Sequence, residues 1–525
     1  MTIAPALAIV VVVVAAIRLV PGLLWRRRGM DAGYHLLLRR EIRRHGMRMP
    51  ARVEAMALDA RQTYPWGFHY LLALLPDSWI RAVPPLPSTL IDCAHALLVS
   101  GLACVLAPQA VPAADPAQVA LLAGLLFGTA PALLVVGIGP RAFEITPRPL
   151  GELFFSALMI AGGMLAAGGG LVWAGIAAVA GGCMLMSSKF AAQVLLACAV
   201  PCALVAQSYW PVLLVPIALA GAMVVSGGRY RWVLEAHVRH LAIFRQRLQH
   251  EHPVLLERND WGHLVHCAGR ALRSPGDAEA RLDLARVAEH NTILQFLLRN
   301  VLWIGTLAAF AIGWAPTWPA EGEWRSWLLA WSVAPLVPFA ISSVRRWRFL
   351  GEAERYPEYA IAPIALLAAM ALAGAAPAVR SAILTAYGLL TLPPLIYSAA
   401  RQRWNAKRAQ WGPELDELIA YLRTQPPSVI LPVPWLAAYV IAPEVEHRFL
   451  AGNDGTTWQK EYDRFFARYP WPTTDLAWWR ERYGAQLAIV ESGLIEDAAA
   501  VGVTYRLDGL PLRYANARFQ VYGLA

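Results

Sequence analysis

Long apolar stretches, separated by short polar breaks, constrain this chain of 525 residues more than any other feature of its sequence. Each stretch has the roughly 20 apolar residues that an α-helix needs to cross about 30 Å of hydrocarbon. The composition agrees, since 57% of the residues are hydrophobic and only 16% are charged, whereas soluble domains have about a quarter charged residues. We therefore predict a polytopic α-helical membrane protein with about eleven transmembrane helices.

The predicted spans follow the apolar stretches, and hydropathy locates their ends to within a few residues. They cover 5–24, 88–108, 117–138, 149–168, 170–187, 190–207, 210–226, 298–316, 326–343, 359–375 and 379–399. The first stretch has no basic segment before it and no small-residue cleavage site after it, so we interpret it as a retained helix rather than a signal peptide.

The polar segments divide unequally between the two sides of the membrane. Counting spans from the N-terminus assigns to one side, face A, the segments 25–87, 139–148, 187–189, 227–297, 344–358 and everything after 400. The opposite side, face B, receives short breaks such as 207–210, and Arg325 and Arg380 are its clear basic residues. Almost every group able to do acid–base or phosphate chemistry is thus predicted to share one aqueous compartment.

The chain changes character after residue 400. Short β-rich runs such as 428–433 alternate with helical patterns, which is typical of a small α/β domain. We predict a transmembrane domain over 1–400 and a soluble α/β domain over 401–525. Within the first domain, 25–87 forms the first polar loop with surface helices, and 227–297 forms a polar helical loop.

The first polar loop carries motifs that resemble a known family. Asp31 and the pair Tyr34-His35 follow the first helix, and a second motif leads into the next one: Tyr64-Pro65-Trp66-Gly67-Phe68-His69. These motifs and the layout of helices, loops and C-terminal domain resemble the GT-C membrane glycosyltransferases. That superfamily includes the oligosaccharyltransferase catalytic subunits and the aminoarabinose transferases, and its members use sugars carried on polyprenyl lipids.

The chain departs from the oligosaccharyltransferases at one motif. Their Trp-Trp-Asp hallmark is absent, because Trp478-Trp479 is followed by Arg480. This difference favours transfer of a single sugar over recognition of a peptide sequon.

The resemblance implies catalytic and substrate-binding residues on face A. Asp31 becomes the candidate that orients or deprotonates the acceptor, with Glu144 as a second acidic site residue. The candidate substrate-binding residues are Tyr34, His35, Tyr64, His69, Arg141, Arg148, Lys189, Glu354, Arg355 and Tyr356. We assign Arg355 to the phosphate of the lipid-linked donor, with Tyr356 nearby. Lys189 and Arg148 are further candidates to hold phosphate, because cationic groups stabilise a departing phosphate.

Several of these residues also have a structural interpretation. Asp31 is a favoured N-cap for a surface helix beginning near residue 34. Tyr34 and His35 suit the membrane interface equally well. Glu144 can form an interfacial ion pair with the arginines around it, and Lys189 can extend its ammonium group to the interface.

Metal binding stays open at the level of sequence. His263 and His266 stand one helical turn apart, but no Cys or Asp set completes a tetrahedral site, so surface histidines are the preferred interpretation. Some GT-C enzymes use a divalent metal held by acidic loops. The cofactor is therefore unknown, and no metal ligand is assigned.

The predicted function is an inverting, GT-C type glycosyltransferase that moves a sugar from a polyprenyl-phosphate donor to a lipid, glycan or protein acceptor. Its predicted partners are that donor and membrane lipids, with no nucleic acid; the sugar and the oligomeric state are open. The alternative is a transporter or flippase of a lipid-linked anion, which the lack of a visible repeat and the scarcity of midplane charges disfavour.

The predicted location is the inner membrane of a cell envelope, with the catalytic face in the periplasm. This sidedness follows from the resemblance and opposes the positive-inside rule, which would place the arginines at 26–28 and 345–348 in the cytoplasm. Arginines that bind lipid phosphate on a catalytic face have their own reason to lie there.

Overall fold

The computed structural model of the chain describes residues 2–25, 29–58, 61–134, 143–251, 258–313, 323–408, 412–452 and 461–524. These residues are mostly helical, with a small sheet region near the C-terminus. They form two compact units. Unit 1 comprises Met1–Trp25, Ser78–Gly228 and Pro253–Trp404, and unit 2 comprises Arg26–Asp77, Arg229–His252 and Asn405–Ala525.

The elements follow one another along the chain in this order. The α-helices are α1 (Ile3–Leu24), α2 (Met30–Arg44), α3 (Gly67–Leu74), α4 (Asp77–Ala82), α5 (Leu86–Ala110), α6 (Pro116–Thr129), α7 (Arg148–Ala166), α8 (Val172–Ser187), α9 (Lys189–Ala206), α10 (Trp210–Val225), α11 (Tyr230–Ile243), α12 (Gln249–Glu251), α13 (Trp261–Arg273), α14 (Ala278–Glu289), α15 (Thr292–Arg299), α16 (Val301–Ala311), α17 (Glu323–Val333), α18 (Leu336–Ser343), α19 (Ile361–Gly374), α20 (Pro377–Arg408), α21 (Pro413–Thr424), α22 (Ala437–Ile441), α23 (Tyr462–Phe465), α24 (Leu476–Tyr483) and α25 (Ser492–Ala500). The strands are β1 (Val429–Val433), β2 (Arg448–Phe449), β3 (Phe466–Arg468), β4 (Trp471–Pro472), β5 (Leu487–Glu491), β6 (Leu512–Ala515) and β7 (Phe519–Gly523).

Seven helical segments of the described residues are long and apolar enough to cross a membrane. They are Ile3–Leu24, Leu86–Ala110, Arg148–Ala166, Lys189–Ala206, Trp324–Ser343, Ala353–Gly374 and Pro377–Trp404. The pair α15 and α16, bent by 75°, makes an eighth if it forms one span, and α6, α8 and α10 are shorter apolar helices. Every predicted stretch therefore contains an apolar helix, as a multi-pass membrane protein requires. The number of spans stays a prediction.

Small residues allow the helices of unit 1 to pack closely. A Cβ atom at Gly221 in α10 would lie only 1.9 Å from the carbonyl oxygen of Ala178 in α8, and one at Gly181 would lie 2.4 Å from the Cβ of Ala218. Apolar side chains gain little from each other in lipid, so this close approach of backbones supplies the packing between α8 and α10.

One ion pair lies inside the predicted spans of unit 1. Arg18 Nε in α1 donates to Asp92 Oδ2 in α5 over 2.7 Å, and each side chain is only 2% exposed. Arg18 Nη1 also donates to the carbonyl of Gly128 in α6 over 3.1 Å. A charge in hydrocarbon is tolerated when it is paired in this way, and the pair connects three helices.

Unit 2 contains a mixed five-stranded sheet with the order β2-β1-β5-β7-β6. β1 pairs in parallel with β2 and β5, whereas β7 pairs antiparallel with β5 and β6. The run predicted at 428–433 is β1, whose residues from Ile430 onward are buried because β-branched and leucine side chains fill the core of a covered sheet.

Unit 2 also contains two segments that the sequence analysis assigned to loops of the transmembrane domain, Arg26–Asp77 and Arg229–His252. Helix α2 packs on the C-terminal part of the chain. A Cβ atom at Gly33 would lie 2.2 Å from the carbonyl oxygen of Tyr439 in α22. The domains predicted at 1–400 and 401–525 stay a prediction, because contacts do not test which segment folds alone.

Candidate active site

Asp31, the predicted catalytic carboxylate, lies in the first turn of α2 in unit 2. The helix begins at Met30 rather than near residue 34, and Gly29 occupies the N-cap position, so the interpretation of Asp31 as the N-cap is wrong. Asp31 is exposed. A carboxylate in the first turn is stabilised by the helix dipole by about 0.3–1 kcal/mol, and its exposure keeps it accessible to a substrate.

Four predicted substrate-binding residues form an aromatic cluster beside Asp31 on α2 and α3 and the segment between them. Tyr34 and Tyr64 meet edge to face with their ring centroids 5.4 Å apart. Tyr64 also contacts His35 and His69, at 5.9 and 5.8 Å between centroids. The structure therefore brings Tyr34, His35, Tyr64 and His69 together within unit 2.

The two histidines of this cluster bind each other. His35 Nδ1 and His69 Nε2 are 2.9 Å apart, so one ring donates and the other accepts. Burial lowers the pKa of His35 to about 3 and lowers the pKa of His69 well below its ordinary value. Both rings are therefore neutral at pH 7. The two rings are buried, only 3% and 0% exposed, and they pack against Tyr34 and Tyr64. Direct contact of the histidines with a substrate stays a prediction.

Arginines of α2 have a role that the sequence analysis missed. Arg39 donates to the carbonyls of Leu72 and Leu75, and Arg43 donates to those of Ala73 and Leu75. The last carbonyls of a helix have no partner within it, so these guanidinium groups cap the C-terminal end of α3. They thereby fix the helix that carries His69.

Unit 1 contains two of the predicted residues, Arg148 and Arg355, in an ion-pair cluster with Glu352 and Glu358. Arg148 Nη2 lies 3.3 Å from Glu358 Oε1 and 3.9 Å from Glu352 Oε2. Arg355 Nη1 lies 3.5 Å from the same oxygen of Glu352. Burial raises the pKa of Glu352, while the charges of Arg355 and Arg148 oppose the rise. Glu352 thus bridges two arginines that the sequence analysis assigned to phosphate.

Arg355 is the more accessible arginine of the cluster. Its side chain is 21% exposed, against 8% for Arg148. Its guanidinium carbon lies 4.2 Å from the ring centroid of Phe190, a cation–π contact that fixes the plane of the group. The ring of Tyr356 lies 4.8 Å from the same Phe190. Arg355 and Tyr356, both predicted for the donor, therefore share one aromatic partner.

An apolar crevice lies beside this aromatic partner. Tyr359 contacts Phe190 at 6.1 Å and Phe155 at 5.1 Å between ring centroids. Phe155 lines a crevice between α7, α9 and α17, together with Met159, Leu195, Cys198 and Trp331. The crevice has a volume of only about 10 Å³, room for about one water molecule, so it belongs to the packing of these helices.

Glu354 belongs to the same segment and has a separate partner. It is 8% exposed, and its Oε1 lies 3.8 Å from Arg258 Nη2. Arg258 Nη1 also donates to the carbonyl of Gly351 over 2.9 Å. Gly351 has φ +102°, a conformation that glycine adopts most readily. Arg258, which the sequence analysis did not select, therefore anchors the turn that carries Glu352 and Arg355.

The remaining predicted residues have less defined surroundings. Lys189 begins α9 next to Phe190 and is partly buried. Glu144 is buried, and its carbonyl accepts a hydrogen bond from Ser88 Oγ over 2.8 Å. Arg141 lies outside the described residues. Within the described ranges, no group of three His, Cys, Asp or Glu side chains is arranged to hold a metal ion.

No protein-family model matches this chain, and no curated protein matches its sequence. Solved structures with a similar fold exist. ArnT from Cupriavidus metallidurans bound to undecaprenyl phosphate superposes with a TM-score of 0.52 at 13% identity, covering 99% of this chain and 98% of that one. The same protein in the apo state gives 0.51 at 15% identity, covering 99% and 97%.

A second protein has the same fold. The oligosaccharyltransferase from Archaeoglobus fulgidus in complex with Zn and sulfate gives a TM-score of 0.55 at 12% identity, covering 94% of this chain and 69% of that one. Both proteins are GT-C glycosyltransferases. At such low identity the likeness concerns the fold, and for the fold it confirms the resemblance drawn from the sequence motifs.

Proposed function

We propose that this protein is a GT-C type glycosyltransferase that takes its sugar from a polyprenyl-phosphate donor. The observation that carries the proposal is the partly exposed Arg355 guanidinium, held against the ring of Phe190 near the start of an apolar span of unit 1. A polyprenyl phosphate needs a cationic group for its phosphate and apolar helices around its chain. The fold shared with an undecaprenyl-phosphate-bound transferase supports this assignment.

Charge is arranged in the ion-pair cluster so that a phosphate can enter it. Arg148 and Arg355 share Glu352, and Arg148 also contacts Glu358. A donor phosphate would compete with Glu352 for Arg355, because charge-assisted hydrogen bonds to phosphate are among the strongest in proteins. The more buried Arg148 would keep the cluster in place.

The reaction needs a base and a stabilised leaving group. The acceptor hydroxyl attacks the anomeric carbon, its proton passes to a carboxylate, and the bond from that carbon to the phosphate oxygen breaks. We propose Asp31 as the proton acceptor, as the resemblance implies, and Arg355 as the group that stabilises the departing phosphate. Direct displacement inverts the anomeric carbon. The roles of Glu144, Lys189 and the tyrosines of the aromatic cluster, like the periplasmic side of the reaction, follow from the resemblance.

The assignment of Arg355 is tested by binding of radiolabelled undecaprenyl phosphate to the purified full-length protein. Loss of a charge-assisted contact in Arg355→Ala should weaken binding by about tenfold or more. The exposed Arg281→Ala in α14 is the matched control and should bind like the wild type. Equal affinities of all three proteins would refute the proposed phosphate site.

Transfer is tested with a panel of polyprenyl-phosphate sugars. Asp31→Asn should abolish release of polyprenyl phosphate from the accepted donor while leaving donor binding unchanged, since only the proton acceptor is lost. Asp497→Asn, an exposed carboxylate of unit 2, is the control. Movement of the intact donor across proteoliposomes without release would instead identify a flippase.

A further inference from the structure

Unit 1 has a second cavity whose lining shares no residue with the crevice beside Arg355. It lies between α6, α16, α19 and α20 and has a volume of about 360 Å³. Its lining is almost entirely aliphatic and includes Gly305, Ala309, Ala371, Leu384 and Leu390. The surrounding helices belong to candidate membrane spans or apolar helices, so the cavity faces hydrocarbon rather than water.

The dimensions of this groove match one lipid chain. A water-sized group occupies about 30 Å³, so the groove has room for about a dozen groups of methylene size. Along α20 the distance from Arg380 to Leu390 is about 15 Å at 1.5 Å per residue, which is half of the roughly 30 Å of a hydrocarbon core. A volume of about 360 Å³ spread over this length leaves too small a cross-section for a helix, which is about 10 Å wide.

A cation stands at the end of the groove. Arg380 lies in the first turn of α20, directly after the break that separates α19 from α20. Ile383 and Leu384, which line the groove, follow one helical turn later. Within the described part of the chain, Arg380 has no ion pair. Such a break between two apolar helices belongs at the membrane surface, where lipid phosphates lie.

We propose that this groove binds an acyl chain of an anionic phospholipid whose phosphate pairs with Arg380. The groove supplies the apolar contact and Arg380 supplies the preference for a negative headgroup. A polyprenyl chain is a poorer match, because the groove ends within one leaflet. The site is independent of the proposed transfer reaction.

Gly305 offers a variant that fills the groove without disturbing the protein. A Cβ atom there meets no other atom within 4 Å, and the residue lies inside α16, where leucine is a better helix former than glycine. Gly388→Leu in α20 is the matched control, because its Cβ also meets nothing within 4 Å but the residue does not line the groove.

The test is native mass spectrometry of the full-length protein released from nanodiscs of mixed phosphatidylglycerol and phosphatidylcholine. We expect the wild type and Gly388→Leu to retain phosphatidylglycerol, and Gly305→Leu to retain less by about fivefold or more. In Arg380→Gln the ratio of retained phosphatidylglycerol to phosphatidylcholine should fall about fivefold, since one arginine near the surface contributes about 1 kcal/mol. The control is Arg403→Gln at the other end of α20.

Three outcomes would overturn the proposal. Equal retention of phosphatidylglycerol by Gly305→Leu and Gly388→Leu would show that the groove does not bind the lipid. Equal retention of both lipids by the wild type would show that the anionic headgroup is not preferred. Displacement of phosphatidylglycerol by an equal concentration of undecaprenyl phosphate would identify a donor site instead. Lipid retention is measured without turnover, so failure of this proposal and failure of the transferase proposal are distinguishable.

Discussion

At the scale of single residues, the structure assigns partners that lie far apart in the sequence. Arg148 pairs with Glu358 across 210 positions, and Arg18 pairs with Asp92 across 74. Arg148 and Arg355 could be predicted from the sequence because arginines at a polar break suit a phosphate. Glu352 could not be predicted as their shared partner, since pairing depends on the packing of helices and not on local pattern. Arg258 was missed for the same reason.

The buried histidine pair predicts a dependence of stability on pH. An unfolded chain takes up protons at its histidines near the ordinary pKa of 6.5, whereas folded His35 stays neutral until about pH 3. The unfolded state then binds more protons, so stability is complete above about pH 6.5 and falls as the pH is lowered towards 3. The loss from His35 is about 1.4 kcal/mol per pH unit in this window, and His69, whose pKa is also lowered, acts in the same direction.

Thermal unfolding in detergent, followed by tryptophan fluorescence over this pH window, measures the effect. The double variant His35→Gln with His69→Gln should show a flatter loss of stability than the wild type. His45→Gln, on the exposed end of α2, should keep the wild-type slope. An unchanged slope in the double variant would show that the pair does not control acid sensitivity.

At the scale of elements, the local sequence predicted which helices and strands exist better than it predicted where they begin and what they contact. Each apolar stretch became a helix because twenty apolar residues have few alternatives in a membrane. The run at 428–433 became β1 because its β-branched residues suit a buried strand. By contrast, α2 begins four residues earlier than predicted, since the dipole and the Gly29 N-cap extend it to include Asp31. Its packing on α22 joins segments some 400 residues apart, which periodicity cannot indicate.

The contact between α2 and α22 predicts a sensitive glycine. Gly33→Ala places a methyl group 2.2 Å from the backbone oxygen of Tyr439, and backbone cannot move aside as a side chain can. Overpacking of this kind lowers the free energy of unfolding by about 1–3 kcal/mol. Gly493→Ala in α25, where nothing lies within 4 Å, should be neutral or stabilising by up to about 1 kcal/mol. Thermal unfolding compares the two, and equal melting temperatures would contradict the close contact.

At the scale of the whole molecule, the same fold is kept at 12–15% identity over nearly the full chain. This is physically reasonable, because a membrane fold depends on the order of apolar helices and on small residues at their contacts, and many sequences satisfy both. The order of helices, loops and C-terminal sheet could therefore be inferred from the sequence. The sugar and the acceptor could not, because they depend on a few side chains whose positions are set by tertiary packing.

The sidedness of the membrane is the property on which the two sequence arguments disagree. The resemblance places face A in the periplasm, whereas the positive-inside rule places its arginines in the cytoplasm. Single cysteines introduced into a cysteine-free background separate these cases. Ser274→Cys lies in the polar segment assigned to face A, and Gln207→Cys lies in a break assigned to face B; both positions are exposed.

In intact cells with a permeable outer membrane, a charged maleimide that cannot cross the inner membrane should label Ser274→Cys and leave Gln207→Cys unlabelled. After lysis both should react, which controls for exposure. The reverse pattern would mean that the basic loops obey the positive-inside rule, and that Asp31 and Arg355 meet cytoplasmic substrates. Labelling of both positions before lysis would mean that an even number of spans separates them, and the assignment of the polar segments to one compartment would then be wrong.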